Sequence, residues 1–122
     1  MNEAVTDKTG EPVTVELDDT RGAYVIRTDS GDDAGRAFFL TGPEEERIFF
    51  HTEVDEEFSG RGLAKILVTQ ALAGSREHGV TEVPVCPLFV KRLAEAGEDY
   101  RAEGGIFRKA TGADLDLVKR EA

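Results

Sequence analysis

The sequence predicts an α/β (α+β) domain, a mixed and mostly antiparallel sheet with one parallel βαβ unit at its centre. Three observations lead there. The first half alternates apolar and polar residues in short runs divided by turn clusters, the period-two signature of strands joined by tight connections. After residue 60 the apolar spacing becomes helical over almost twenty residues. A further apolar run at 80–86 follows that helix, and a strand–helix–strand succession joins parallel neighbours by a right-handed crossover.

Each element has its own justification. Residues 1–10 are small and polar, so they are expected to be disordered, leaving 11–122 as a single domain. In 12–17, Val13, Val15 and Leu17 share one face of a half-buried strand. A turn at 18–22 leads to a second strand over 23–27, and the cluster 29–33 turns the chain again. A third strand covers 36–41, Gly42 to Glu45 forms another turn, and the fourth strand runs over 46–54. Connections this short imply an antiparallel meander.

The helix expected from about 60 to 78 carries Leu63, Ile66, Leu67 and Ala71 as its apolar stripe. Arg76 and His78 suit its C-terminal dipole, and Gly79 suits the position just beyond. A fifth strand at 80–86 and a shorter helix from Pro87 to about Ala96 complete the main body. Beyond residue 97 the pattern is less legible. Ile106 and Phe107 are expected to pack onto the sheet, and 113–121 reads as a final short helix or a partly ordered tail.

Composition limits the partners. A net charge of −10 argues against nucleic acid and against anionic membrane surfaces, because neutralising phosphates requires clustered Lys and Arg. The same charge is compatible with a cationic amine substrate and equally with a solubility role. One cysteine excludes an intramolecular disulfide and a cysteine-rich zinc site, and two separated histidines give no metal motif, so no metal is expected. No apolar run approaches the ~20 residues that span a bilayer. The polar start does not read as a signal peptide, and a cytoplasmic protein is expected.

The most informative stretch is 51–65, which reads strand, acidic turn, glycine-rich loop and helix start. A strand that delivers Gly60 and Gly62 to a helix N-terminus can hold a diphosphate. Main-chain N–H groups point outward there, the dipole favours anions, and missing Cβ atoms permit close approach. The loop is no Walker A sequence, since no Gly-Lys-Ser/Thr follows, and antiparallel strands before it exclude the dinucleotide fold.

This arrangement resembles the GCN5-related N-acetyltransferases, whose loop pattern is Arg/Gln-x-x-Gly-x-Gly/Ala. Here Gly62 takes the first Gly position, Ala64 the last, and Ser59 stands where Arg or Gln is expected. The closer resemblance is to a very small branch with a His-Thr-x-Val strand and a Cys-Pro step, matched by His51-Thr52-Glu53-Val54 and Cys86-Pro87. It covers approximately residues 13–93. The resemblance implies the acyl-CoA N-acyltransferase fold and acetyl-CoA as cofactor, with the diphosphate on Ser59, Gly60, Arg61, Gly62, Leu63, Ala64 and Lys65. It implies further that two parallel strands splay apart and that main-chain groups around Val54 pair with the pantetheine arm. Pro84 fits such a splay, because proline removes a ladder donor, although an edge position explains it too.

Cys86 and His51 are the candidate catalytic residues. Cys86 ends a strand and precedes Pro87, a favoured first helical residue, and a helix N-terminus stabilises thiolate. Strand alternation puts His51 on the face of Phe49 and Glu53, from which it could share the thiol proton. In isolation, a cysteine such as Cys86 is more often a buried small hydrophobe than a nucleophile, and His51 is as readily a satisfied, half-buried imidazole.

The function expected is therefore an acetyl-CoA-dependent N-acetyltransferase acting on a small-molecule or lysine amine, directly or through Cys86. The chain is expected to be a monomer or weak dimer. Two alternatives are a CoA-binding module without catalysis and an acidic protein-interaction domain whose glycine loop is only a tight connection.

Overall fold

The computed structural model describes residues 3–122. Seven strands lie in one sheet in chain order: β1 (Glu3–Thr6), β2 (Pro12–Asp18), β3 (Ala23–Thr28), β4 (Asp33–Gly42), β5 (Glu46–Val54), β6 (Thr81–Pro84) and β7 (Ile106–Phe107). The pairings β1–β2 through β4–β5 are antiparallel, and β5–β6 and β6–β7 are parallel. Three helices accompany them: α1 (Leu63–Glu77), α2 (Pro87–Ala102) and α3 (Gly112–Glu121). The expected mixed sheet with its parallel βαβ unit is the architecture found.

The core forms where α1 and α2 cover one face of the sheet. Leu63, Leu67, Val68, Ala71 and Leu72 bring the stripe of α1 against Val15, Ile26, Ala37 and Phe49. Phe49 stacks on Phe89 of α2 with ring centroids 4.4 Å apart, and Phe39 tilts against it at 5.2 Å. Gly74 sits inside α1 because a Cβ there would lie 2.2 Å from the Tyr24 hydroxyl. That hydroxyl accepts a hydrogen bond from Arg47 at 2.7 Å.

Three expectations need correction. Residues 3–10 are structured, with β1 pairing along β2 from Glu3↔Val15 to Thr6↔Pro12; residues 1–2 lie outside the described residues. Polar composition misleads here because the turn after β1 is organised by a buried carboxylate. Asp7 Oδ1 accepts from the amides of Thr9 and Glu11 and from the Thr9 hydroxyl, at 2.6–3.0 Å. The second correction concerns α2, which continues to Ala102 and bends at Ala96, where φ is −130°. Third, β6 stops at Pro84, two residues before the expected end, for a reason that defines the site below.

The final segment is a helix. Thr111 and Asp114 form a reciprocal capping box at its start. Arg108 forks onto both Asp114 oxygens at 2.7 and 2.9 Å and reaches Glu46 at 3.0 Å, and α3 packs against β4.

Candidate active site

The glycine loop connects a short 3₁₀ turn (Glu56–Phe58) to α1. Gly60 and Gly62 have φ of 80° and 74°, the left-handed region that glycine adopts without strain. Gly62 is the N-cap of α1 and supplies no side-chain cap, so Ser59 does not fill that role; it ends the 3₁₀ turn instead. The amides of Leu63, Ala64 and Lys65 meet no acceptor among the described residues, and the first intrahelical bond is Ile66 N–H to Gly62 C=O. Three uncommitted N–H groups at the positive end of a 15-residue helix fit an anion.

The acids upstream turn away from this loop. Asp55 Oδ2 accepts from Arg36 at 2.9 Å, and the same guanidinium holds Glu53 and Asp33. Glu56 and Glu57 are exposed on the 3₁₀ turn.

A groove of ≈ 480 Å³ begins at Gly62 and runs between α1 and α2 to Glu95. Ala64, Val68 and Leu88 give it an apolar wall, and Lys65, Lys91 and Arg92 give it a basic rim. In a chain with ten more acids than bases, this convergence of cations suits a polyphosphate with an apolar arm. The residues present therefore fit the CoA moiety at the loop and along the groove.

Beyond Pro84 the two parallel strands part. The β5–β6 ladder ends at the pair Phe49↔Pro84, and both Val85 N–H and Cys86 N–H then converge on Phe49 C=O at 2.9 Å. From Phe50 to Val54, β5 keeps its partner β4 on one side and has no ladder partner on the other. Proline at the parting point has no N–H to continue the ladder. This gap lies beside the glycine loop that follows β5.

Cys86 is the N-cap of α2 with Pro87 first in the helix, as its sequence context implies. Cys86 is 4% exposed, and its thiol donates to the Thr52 hydroxyl at 3.4 Å. His51 is elsewhere. Its Nε2 is 3.1 Å from Glu53 Oε1, its ring stacks on Phe38, and its side chain is 55% exposed. Successive strand residues face opposite sides of a sheet, so Thr52 and His51 present themselves to opposite faces, and the expected Cys86–His51 pair is not assembled.

The cause is a β-bulge. Phe39 pairs with Phe49 and Phe38 with His51, so Phe50 is an extra residue in β5. One inserted residue shifts the alternation by one. Phe49 therefore faces the helices, His51 and Glu53 face away from them, and Thr52 inherits the place beside Cys86 that simple alternation assigns to His51.

Sequence reasoning also missed the N-terminal contribution to this site. Arg61 Nε donates to Asp7 Oδ2 at 2.6 Å, and the Asp7 side chain is fully covered. Lys8 N–H donates to Arg61 C=O at 3.0 Å, and its side-chain stem lies across Gly62. The Asp7-Lys8-Thr9-Gly10 run carries the chemistry of an Asx turn, which could have been read. Its docking on a loop 54 positions away could not.

Comparison with known proteins agrees with this geometry. The family model for GCN5-related N-acetyl-transferases matches residues 23–103, which hold the glycine loop, Cys86 and His51. An NMR solution structure of a GCN5-like protein from Staphylococcus aureus shares the fold with a TM-score of 0.52 at 18% identity. The match covers 80% of this chain and 90% of that one. Among curated proteins no sequence relative matches. No helix is long and apolar enough to cross a membrane among the described residues. With the family model covering two thirds of its length and the loop, crossover and parted strands in place, the chain belongs to the GCN5-related N-acetyltransferases.

Proposed function

We propose that the protein transfers the acetyl group of acetyl-CoA to a primary amine by direct attack within the gap between β5 and β6. The observation that carries this reading is the end of the ladder at Phe49↔Pro84 next to three uncommitted amides at Leu63, Ala64 and Lys65. Bound there, acetyl-CoA would supply an activated acyl group, and its departing thiolate would take up the proton that the attacking nitrogen releases as the amide forms. The amides of the loop hold the diphosphate, and Lys65, Lys91 and Arg92 offset its charge. The unpaired edge of β5 from Phe50 to Val54 pairs with the amide-bearing arm and aims a main-chain donor at the carbonyl oxygen.

The acceptor enters from the face that carries His51. An amine arrives as an ammonium and must lose a proton before it attacks. His51 accepts that proton at one ring nitrogen, and Glu53 at 3.1 Å orients the ring and stabilises the charge it gains. The acidic surface supports a cationic acceptor, a small amine or a lysine side chain. A second reading has Cys86 accept the acetyl group first, and its place beside the gap supports it. In that case its hydrogen-bond partner is Thr52, not His51.

Thermal-shift titration with acetyl-CoA, CoA and ATP, followed by thiol release over an amine panel, tests the proposal. Stabilisation by both CoA species and amine-dependent thiol release are expected. Absence of any shift with CoA removes the reading. Stabilisation without turnover over a broad panel leaves only a binding module.

A further inference from the structure

We propose that Lys8, carried on the turn between β1 and β2, is a cofactor-binding residue whose ammonium counters the diphosphate held at Gly62–Lys65. This rests on the acetyl-CoA reading above. Ser59 brings no charge to the position where the family pattern has Arg or Gln. Arg61, the loop's own guanidinium, is committed to Asp7 at 2.6 Å, and that carboxylate is wholly covered. An ion pair of this kind brings almost no net charge to the loop.

Lys8 replaces what Arg61 gives up. A Cβ placed on Gly62 would come within 2.8 Å of Lys8 Cγ and Cδ, so the stem lies directly over the N-cap of α1. The main chain fixes it there, with Lys8 N–H bonded to Arg61 C=O at 3.0 Å. The preceding residue anchors the whole turn, because Asp7 accepts from Thr9, Glu11 and Arg61 at once. The Lys8 ammonium has no acidic partner among the residues whose side chains are described, although the chain carries 25 acids against 15 Lys and Arg. An unpaired lysine over the phosphate-facing end of a helix is placed for a polyanion, and its four-carbon stem lets the charge adjust to the ligand.

Isothermal titration of CoA into wild type, Lys8→Gln and Lys8→Arg, each in low and in ~0.3 M salt, tests this. Lys8→Gln is expected to weaken CoA binding about tenfold in low salt, the effect of one charge-assisted contact to phosphate. Lys8→Arg is expected to restore most of the affinity, and the gap is expected to narrow as salt screens the charge. The melting temperature without ligand should stay unchanged in both variants, since Lys8 makes no ion pair there. Equal CoA affinity in Lys8→Gln and wild type overturns the assignment while leaving the acetyl-CoA reading intact. Tighter binding by Lys8→Gln also overturns it, and shows that the stem plugs the loop. A wild type that binds no CoA removes both proposals together.

Discussion

Asp7 and Arg61 meet at 2.6 Å across 54 positions of the chain, joining the first turn of the sheet to the glycine loop. The contact makes an N-terminal hairpin part of the architecture of the site. It also explains how a loop with two left-handed glycines stays in one conformation. The backbone freedom that such residues bring is a cost that the neighbouring turn offsets by holding Arg61 on both its side chain and its carbonyl.

Asp7→Asn keeps the shape and removes the charge. It should lower the melting temperature by on the order of 5 °C, the scale of one lost hydrogen-bonded charge pair in a chain of this size. It should also weaken CoA binding, because the turn that holds Lys8 over Gly62 loses its anchor. Differential scanning fluorimetry with and without CoA reads both effects. A variant that melts and binds like wild type would show that the turn does not brace the loop.

Acid and base act on different groups. The Thr9 hydroxyl and the Arg61 guanidinium hold Asp7 well below the ordinary 3.8, and Arg108 holds Asp114 at about 2. For both, the unfolded chain binds protons more readily than the folded one. Their stabilisation is full above the ordinary value and is lost as pH falls from there through the folded value. Urea midpoints measured from pH 7 down to pH 2 should therefore drop steeply below about pH 4. Asp114→Asn should flatten that drop while lowering the plateau.

Glu82 behaves in the opposite sense. Its side chain is buried, burial drives its value well above 4.5 against the weaker pull of Ser75 and Arg47, and neither oxygen has a well-formed hydrogen bond among the described residues. Ser75 and Arg47 face it, and the hydroxyls of Tyr24 and Tyr100 belong to the same electrostatic neighbourhood. The folded state holds this proton more tightly than the unfolded state, so its contribution is complete below 4.5 and is lost as pH rises toward the folded value. Glu82→Gln should stabilise the protein by about 1 kcal/mol or more at pH 8, and the gain should shrink at pH 5. A gain that grows toward acid pH would contradict the assignment.

Gly74→Ala sets two magnitudes against each other. Alanine is favoured over glycine inside a helix by about 1 kcal/mol. The new methyl, however, would overlap the Tyr24 hydroxyl at 2.2 Å and disturb its bond with Arg47. Overpacking a tight core costs about 1–3 kcal/mol, so a net loss of stability is expected in chemical denaturation. A stabilised variant would mean that Tyr24 swings aside freely.

Side-chain changes at the gap separate the two routes of transfer. Under direct attack, Cys86→Ala should retain most of its turnover, and His51→Asn should lose about 10²–10⁴-fold in kcat. Under transfer through Cys86, the alanine variant should be inactive and wild type should show ping-pong kinetics with an acetylated Cys86. Thr52→Val then becomes informative, since it removes the partner of the thiol.

Much of the fold was legible because local pattern and tertiary role coincide. Val13, Val15 and Leu17 do alternate into the core or against it, and Leu63, Leu67 and Ala71 do line the buried side of α1. The glycine loop was legible for the same reason, as Gly60 and Gly62 both need a positive φ. What escaped was nonlocal. β1 is held by main-chain pairing and by Asp7, whose partner is remote in sequence, so composition alone reads the segment as disordered. The Cys86–His51 pairing failed on a single position, since nothing in Phe49-Phe50-His51 announces that Phe50 is bulged.

That extra residue has a chemical meaning. Were Phe50 paired with Phe38 in a regular ladder, the side chains after it would stand in the opposite phase, bringing the imidazole to the sulfur and sending the threonine outward. The pairing of one residue in this strand thus decides whether an imidazole or a hydroxyl stands beside the Cys86 thiol. A slip of one position between β5 and β4, with no change of residue type, is all that divides the two arrangements.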